Sequence, residues 1–183
     1  MVSVIILSLF ISACSGERVK PVIDPNLVVE ELPTQESWNS KVVFTDSGQT
    51  KAILHTGHLR VFSKSMETLL DDGVKVDFYN QMEKISTVLT SKRGRVDDAT
   101  RDLYAIDSVV AVSDSGVTVS TEELMWRNKD RKIVSDKFVT IISPKEKIQG
   151  YGFESDQSLQ NYVIYNITYV TSIDSTSQKS GQK

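Results

Sequence analysis

The feature that most restricts the fold is a succession of short segments, rich in β-branched and aromatic residues, whose side chains alternate with period two. They are Lys41–Thr45, Lys51–His55, Val74–Tyr79, Ser86–Thr90, Leu103–Val112, Val117–Ser120, Lys137–Ile142 and Tyr162–Thr171. Successive residues of a strand point to opposite faces, so this period marks β-strands. Turn signals divide the segments at a spacing of roughly ten residues, which suits an antiparallel sandwich or open barrel. Those signals are Asp46-Ser47-Gly48, Asp71-Asp72-Gly73, Arg93-Gly94, Asp114-Ser115-Gly116 and Gly150-Tyr151-Gly152. Only Met66–Leu70 hints at a helical turn. A loose echo, Asp46-Ser47-Gly48-Gln49-Thr50 against Asp114-Ser115-Gly116-Val117-Thr118, fits stacked strand-turn-strand units.

The alternation is less clean than a half-solvated sheet requires. Val139 and Ile141 share one face of their segment, yet Phe138 and Ile142 on the other are also apolar. Leu103, Ala105, Val109 and Ala111 stand opposite Tyr104, Ile106, Val110 and Val112 in the same way. Such an excess fits an interior that shelters acyl chains. A thick sandwich core without a cavity fits it equally well. At 183 residues and 39% hydrophobic composition the chain can build one well-cored domain. A net charge of −3, with no long basic run, removes the basis for general nucleic-acid binding.

Residues 1–13, MVSVIILSLFISA, form an uncharged run of signal-peptide length, short of the ~20 residues a spanning helix needs. The usual positive residues ahead of such a run are missing. Either the signal is atypical or the start lies upstream. The order Ile11-Ser12-Ala13-Cys14 resembles the bacterial lipobox, in which the cysteine thiolate takes a diacylglyceryl group and becomes the new N-terminus. Cys14 is therefore the expected lipidation site and membrane anchor, the bland alternative being an inert cysteine in an uncleaved apolar helix. It is the one cysteine of the chain, so a domain without disulfides is expected. Residues 14–37, with Pro21, Pro25 and Pro33, read as the lipidated N-terminus and a flexible tether. The domain is expected over 38–171 and a disordered tail over 172–183.

From Leu89 onward the spacing becomes distinctive. Gly94, Val96-Asp97, Thr100, Leu103, Ala105, Gly116-Val117, Leu124, Trp126, Ile133 and Val139 lead into Ile148-Gln149-Gly150-Tyr151-Gly152-Phe153-Glu154-Ser155-Asp156. This pattern resembles the LptC family of lipopolysaccharide export, and more broadly the LptA and OstA-type domain, over about Trp38 to Thr171. The resemblance implies an all-β protein, an elongated, twisted, open antiparallel β-jelly roll around a greasy groove. It implies a carrier on the periplasmic face of the inner membrane, with no catalytic chemistry and no cofactor. Such a carrier receives lipopolysaccharide through its lipid A acyl chains from an LptF/LptG-type ABC transporter with its LptB ATPase. It passes the lipid to an LptA-like periplasmic protein.

Many members of that family keep a transmembrane helix, which a lipidated Cys14 would replace. Ser15 is not the aspartate that retains many lipoproteins in the inner membrane, so sorting to the outer membrane stays open. Within the family-like region, Phe44, Leu54, Val139, Ile141, Phe153 and Ile164 are the expected acyl contacts. Gly150 and Gly152 are expected to form a tight turn. Tyr162–Thr171, without charge or proline, suits an edge strand that adds to a partner through Tyr162, Ile164, Asn166 and Thr168. Lys41, Val43 and Thr45 are the matching edge at the tether side. The alternative function is a structural or assembly lipoprotein of the outer membrane with a solid β-sandwich core.

Other constellations carry less. His55 and His58 are the only histidines and have no cysteine near them to complete a metal site. No Gly-x-Ser-x-Gly elbow supports a hydrolase triad, and the Asp-Ser-Gly segments lack the alternating ligands of a calcium loop. Asp71-Asp72 and Asp97-Asp98 read as turn chemistry, their carboxylates accepting from nearby backbone N–H groups. Trp126, two residues after Leu124, reads as core or groove lining. Trp38 reads as a cap where the tether meets the domain.

Overall fold

The computed structural model describes residues 32–173. Ten strands follow one another in them: β1 (Gln35–Asp46), β2 (Gln49–Phe62), β3 (Glu67–Tyr79), β4 (Ile85–Ser91) and β5 (Arg93–Asp97). Then come β6 (Asp102–Ser113), β7 (Thr118–Arg127), β8 (Lys132–Ile142), β9 (Glu146–Ser155) and β10 (Tyr162–Ser172). They form one antiparallel sheet in the order β1-β2-β3-β4-β6-β7-β8-β9-β10, and β5 joins β3 to β6 where β4 has ended. The fold is the all-β jelly roll expected from the sequence. The expected signal peptide, Cys14, the tether as far as residue 31 and residues 174–183 lie outside the described residues.

Except at β4 and β5, chain-adjacent strands pair because short hairpins join them. At Asp46↔Gln49 the turn places Ser47 and Gly48 at φ 52° and 80°, the two positive values of a two-residue hairpin turn. Asp114-Ser115-Gly116 turns β6 into β7 as expected. The other turn signals do not reverse the chain. Asp71-Asp72-Gly73 lies inside β3, Arg93-Gly94 opens β5, and Gly150-Tyr151-Gly152 lies inside β9. Met66–Leu70 leads into β3 rather than a helix, and β1 begins at Gln35, inside the expected tether.

These misread signals share a cause. Register shifts fall between Thr56 and His58, Ile106 and Val109, Thr121 and Met125, and Ser135 and Phe138. Lys92, the break between β4 and β5, bridges the same line: its C=O accepts from Gly73 N–H and its N–H donates to the Asp107 C=O, both at 3.0 Å. The irregularities thus run strand to strand from β2 to β9. An extra residue in one strand bends it and strengthens its twist. Aligned across neighbours, such residues crease the sheet.

Inward positions change parity at the crease. In β2 they are Ala52, Leu54 and Thr56 on one side of it and Leu59 and Val61 on the other. The inner face closes on itself: Phe44 of β1 and Phe78 of β3 meet Trp126 of β7, at ring-centroid distances of 6.0 and 6.1 Å. Fully buried Phe78, Phe153, Leu54, Leu70, Leu124, Ile133 and Ile141 fill the interior. Each contributes roughly 1.5–3 kcal/mol by leaving water.

Candidate functional site

Three hairpin ends meet beside β1. Asn128, in the β7–β8 turn, donates its backbone N–H to Asp102 Oδ1 at 2.8 Å and its side-chain amide to the Thr100 C=O at 3.3 Å, binding that turn to the β5–β6 turn. Arg131 pairs with Asp46 at the β1–β2 turn. Each turn is fixed locally. The Asp97 carboxylate accepts from Thr100 N–H at 3.0 Å and Ala99 N–H at 2.9 Å, the Thr100 bond leading in holding it below its usual range. Arg127 donates to both oxygens of Asp130, and that pairing holds the Asp130 carboxyl below its usual range. Glu154 joins the same network from β9: its pairing with Lys132, and then with Arg127, keeps it ionised.

Between the three turns is a cavity of about 660 Å³, with Phe44 and Trp126 on its walls and Lys51, Arg101, Lys129 and Arg131 among its lining. It adjoins a second, mainly apolar cavity of about 270 Å³ lined by Leu54, Leu59, Val61, Leu70 and Val96. Val42, Phe44 and Arg101 line both, so a basic mouth leads to an apolar pocket beneath β1. The larger falls in the size range of small-molecule sites, about 300–1,000 Å³, and the smaller lies just below it. Trp126 is buried, and its Nε1 has no hydrogen-bond partner.

Of the residues expected to touch acyl chains, Phe44 and Leu54 line the apolar cavity. Val139, Ile141 and Phe153 line neither cavity; like Leu54 itself, they belong to the buried core. Ile164 packs on that core from β10, at the other end of the sheet. Lys41, Val43 and Thr45 lie on β1, and Tyr162, Ile164, Asn166 and Thr168 on β10, the two terminal strands of the sheet. The register shift between Ile167 and Tyr169 breaks the period-two face expected for the last four.

Gly150 and Gly152 need correction: neither forms a tight turn. Gly150 pairs with Val139 and Ile167 in mid-strand, where a Cβ would stand 2.3 Å from the Asn166 carbonyl oxygen. Gly152, at φ +76°, sits at the crease, opposite the extra residue of β8. Trp38 is exposed and stacks on His58 at 5.1 Å, while His58 Nε2 lies 2.6 Å from Glu36 Oε1. Among the described residues no cluster of ligands suits a metal ion, and no helix is long and apolar enough to cross a membrane. The basic mouth was not foreseen, because its charges come from hairpin ends far apart in the chain. Lone lysines and arginines in turns read as ordinary solvated residues.

A family model described as "Lipopolysaccharide-assembly, LptC-related" matches residues 2–171. The chain belongs to this LptC-related family. No curated protein matches it. Membership assigns the chain a role in lipopolysaccharide assembly, in a family associated with the periplasmic side of the inner membrane.

Proposed function

We propose that this protein is a membrane-anchored carrier that takes lipopolysaccharide from an LptF/LptG-type transporter with its LptB ATPase and hands it to an LptA-like protein. The observation that carries the reading is the apolar cavity under β1, open through a polar mouth. It favours a carrier over a lipoprotein with a solid core. Cys14, lipidated, tethers the chain at the periplasmic face of the inner membrane; two acyl chains or more hold firmly where one does not. The terminal strands support the two handovers. Each has one strand neighbour among the described residues, so its outer backbone edge suits strand addition. β1 follows the tether and serves the transporter side; β10 serves the LptA-like side. The chain itself is passive, and the transporter supplies the energy.

Photocrosslinking in cells tests the carrier. A photoreactive residue replacing Phe44 is expected to capture lipopolysaccharide, while one replacing Ile53, on the opposite face of β2 from Leu54, captures none. Equal labelling at both positions, or at neither, overturns the assignment of the pocket.

A further inference from the structure

We infer that the outward face of β1 to β4, between the crease and the β1–β2 turn, docks on the anionic phospholipid surface of the membrane that holds the chain. The inference rests on Cys14 as the anchor and goes beyond the carrier reading. Two cross-strand rows make up this face. Register sets Lys41, His55, Lys75, Thr90 and Val110 side by side on β1, β2, β3, β4 and β6. Val43, Ile53, Asp77, Val88 and Val112 form the parallel row two residues away. Both rows continue across the sheet to Tyr169 and Thr171 of β10. The chain has 24 acidic residues and a net charge of −3, yet the only carboxylate in either row is Asp77. Asp77 is 5% exposed and already engaged, with Lys75 Nζ 2.8 Å from its Oδ1 and His55 Nε2 3.9 Å from its Oδ2. Lys41, Val43, His55, Lys75 and Thr90 are exposed.

Beyond the crease the outward face is built otherwise. There charges are matched across neighbouring strands: Glu36 with His58, Arg60 with Asp71, Glu67 with Arg95 and Arg93 with Asp107. Such a ladder neutralises itself and suits water. On the near side, Lys41 and Lys75 flank His55 in one row, a gathering of positive groups that is unfavourable without an anionic partner. Exposed acids reappear at the rims, Asp72 at the crease and Asp114 in the β6–β7 turn. A second copy of this face would add to the repulsion, whereas a plane of anionic headgroups relieves it. That plane also takes exposed valine at its acyl boundary, and each lysine near it strengthens attachment by about fivefold. The chain itself brings the plane close. Leu32 follows Cys14 at a distance that even a fully extended chain cannot stretch beyond about 60 Å. A tether that short raises the local concentration of the membrane, so a modest attraction decides which face of the body meets it. Because the sheet rolls, one plane meets only the part of the rows beside β1.

Photocrosslinking of the full chain, purified with its native Cys14 and reconstituted in vesicles, tests this. One set of vesicles mixes phosphatidylethanolamine with phosphatidylglycerol, and the other is phosphatidylcholine alone. A photoreactive residue replacing Thr90 is expected to form phospholipid adducts at least about fivefold more in the anionic vesicles. Added salt narrows that gap. The same residue replacing Met125, which alternates with buried Leu124 and Trp126 and so faces outward beyond the crease, is expected to show no such preference. Lys41→Glu with Val43→Glu, both at exposed positions, is expected to bring the Thr90 yield down to the phosphatidylcholine level. Equal yields in the two vesicles, equal preference at Thr90 and Met125, or a yield that the double substitution leaves unmoved overturns the docking face. Capture of protein in place of lipid at Thr90, a second copy included, overturns it as well. The comparison of vesicles uses one and the same folded protein, so it decides the matter even where the double variant is unstable. Intact mass reads Cys14 separately: an unmodified thiol overturns the anchor reading, while the Thr90 comparison still decides the face.

Discussion

At the scale of single residues, the least replaceable side chain is the absent one at Gly150. A Cβ there would meet the Asn166 carbonyl oxygen of β10 at 2.3 Å, and backbone cannot yield as a flexible side chain can. Gly150→Ala is expected to destabilise the protein by about 1–3 kcal/mol and to loosen β10 first. Amide exchange of Tyr162–Ser172 reads the loosening; exchange unchanged there contradicts the close approach. Trp126 invites the opposite test. Trp126→Phe keeps the ring against Phe44 and Phe78 but removes the orphan N–H. Losing an unpaired buried donor offsets part of the cost of the cavity left by the smaller ring, so the loss is expected to stay below the ~3–5 kcal/mol of deleting a buried aromatic. A calorimetric loss as large as that of Trp126→Ala contradicts the unpaired N–H.

At the scale of elements, strands built from alternating β-branched residues were legible, because pleat and pattern share one period. β9 was not, since its two glycines read as a turn when they serve a close strand approach and a bend. β5 was missed as well: Arg93-Gly94-Arg95-Val96-Asp97 is short and polar, and pairing with β3 and β6 alone makes it a strand. The crease explains the remaining misplacements. A period counted from one strand end fails at the other, which is why an even spacing of picks along β10 does not share a face.

The β9–β10 loop adds a prediction about acid. Burial pushes the Asp156 carboxyl upward, but hydrogen bonds from Asn161, Ser158 and Gln160 outweigh it and set it below the ordinary range. That loop also seats the fully buried Leu159, and its Gln157 C=O accepts from Thr87 at 2.6 Å. A carboxyl lowered by folding stabilises fully above its unfolded value of about 3.9 and ceases to as pH falls through the folded value. The contribution is on the order of 1 kcal/mol after solvent screening. Acid unfolding of Asp156→Ala is expected to show a shallower loss of stability below pH ~4 than the parent protein. Identical acid limbs contradict this role.

At the scale of the whole molecule, family membership and fold were legible because they rest on local spacing, which a sequence displays directly. The site was legible only in part. Phe44 and Leu54 line the apolar cavity, while Val139, Ile141 and Phe153, chosen on the same criterion and no more buried than Leu54, line neither cavity. What separates the two sets is where the rolled sheet fails to close, and that depends on which hairpin ends meet. The basic mouth has the same origin. The most direct measurement is therefore a methyl nuclear Overhauser experiment on the full chain loaded with lipopolysaccharide. Cross-peaks from acyl protons to the methyls of Leu54, Leu59, Leu70, Val61 and Val96 are expected. Acyl contacts confined to outward residues such as Val163, or to no methyl at all, would show that the pocket beneath β1 does not hold the lipid.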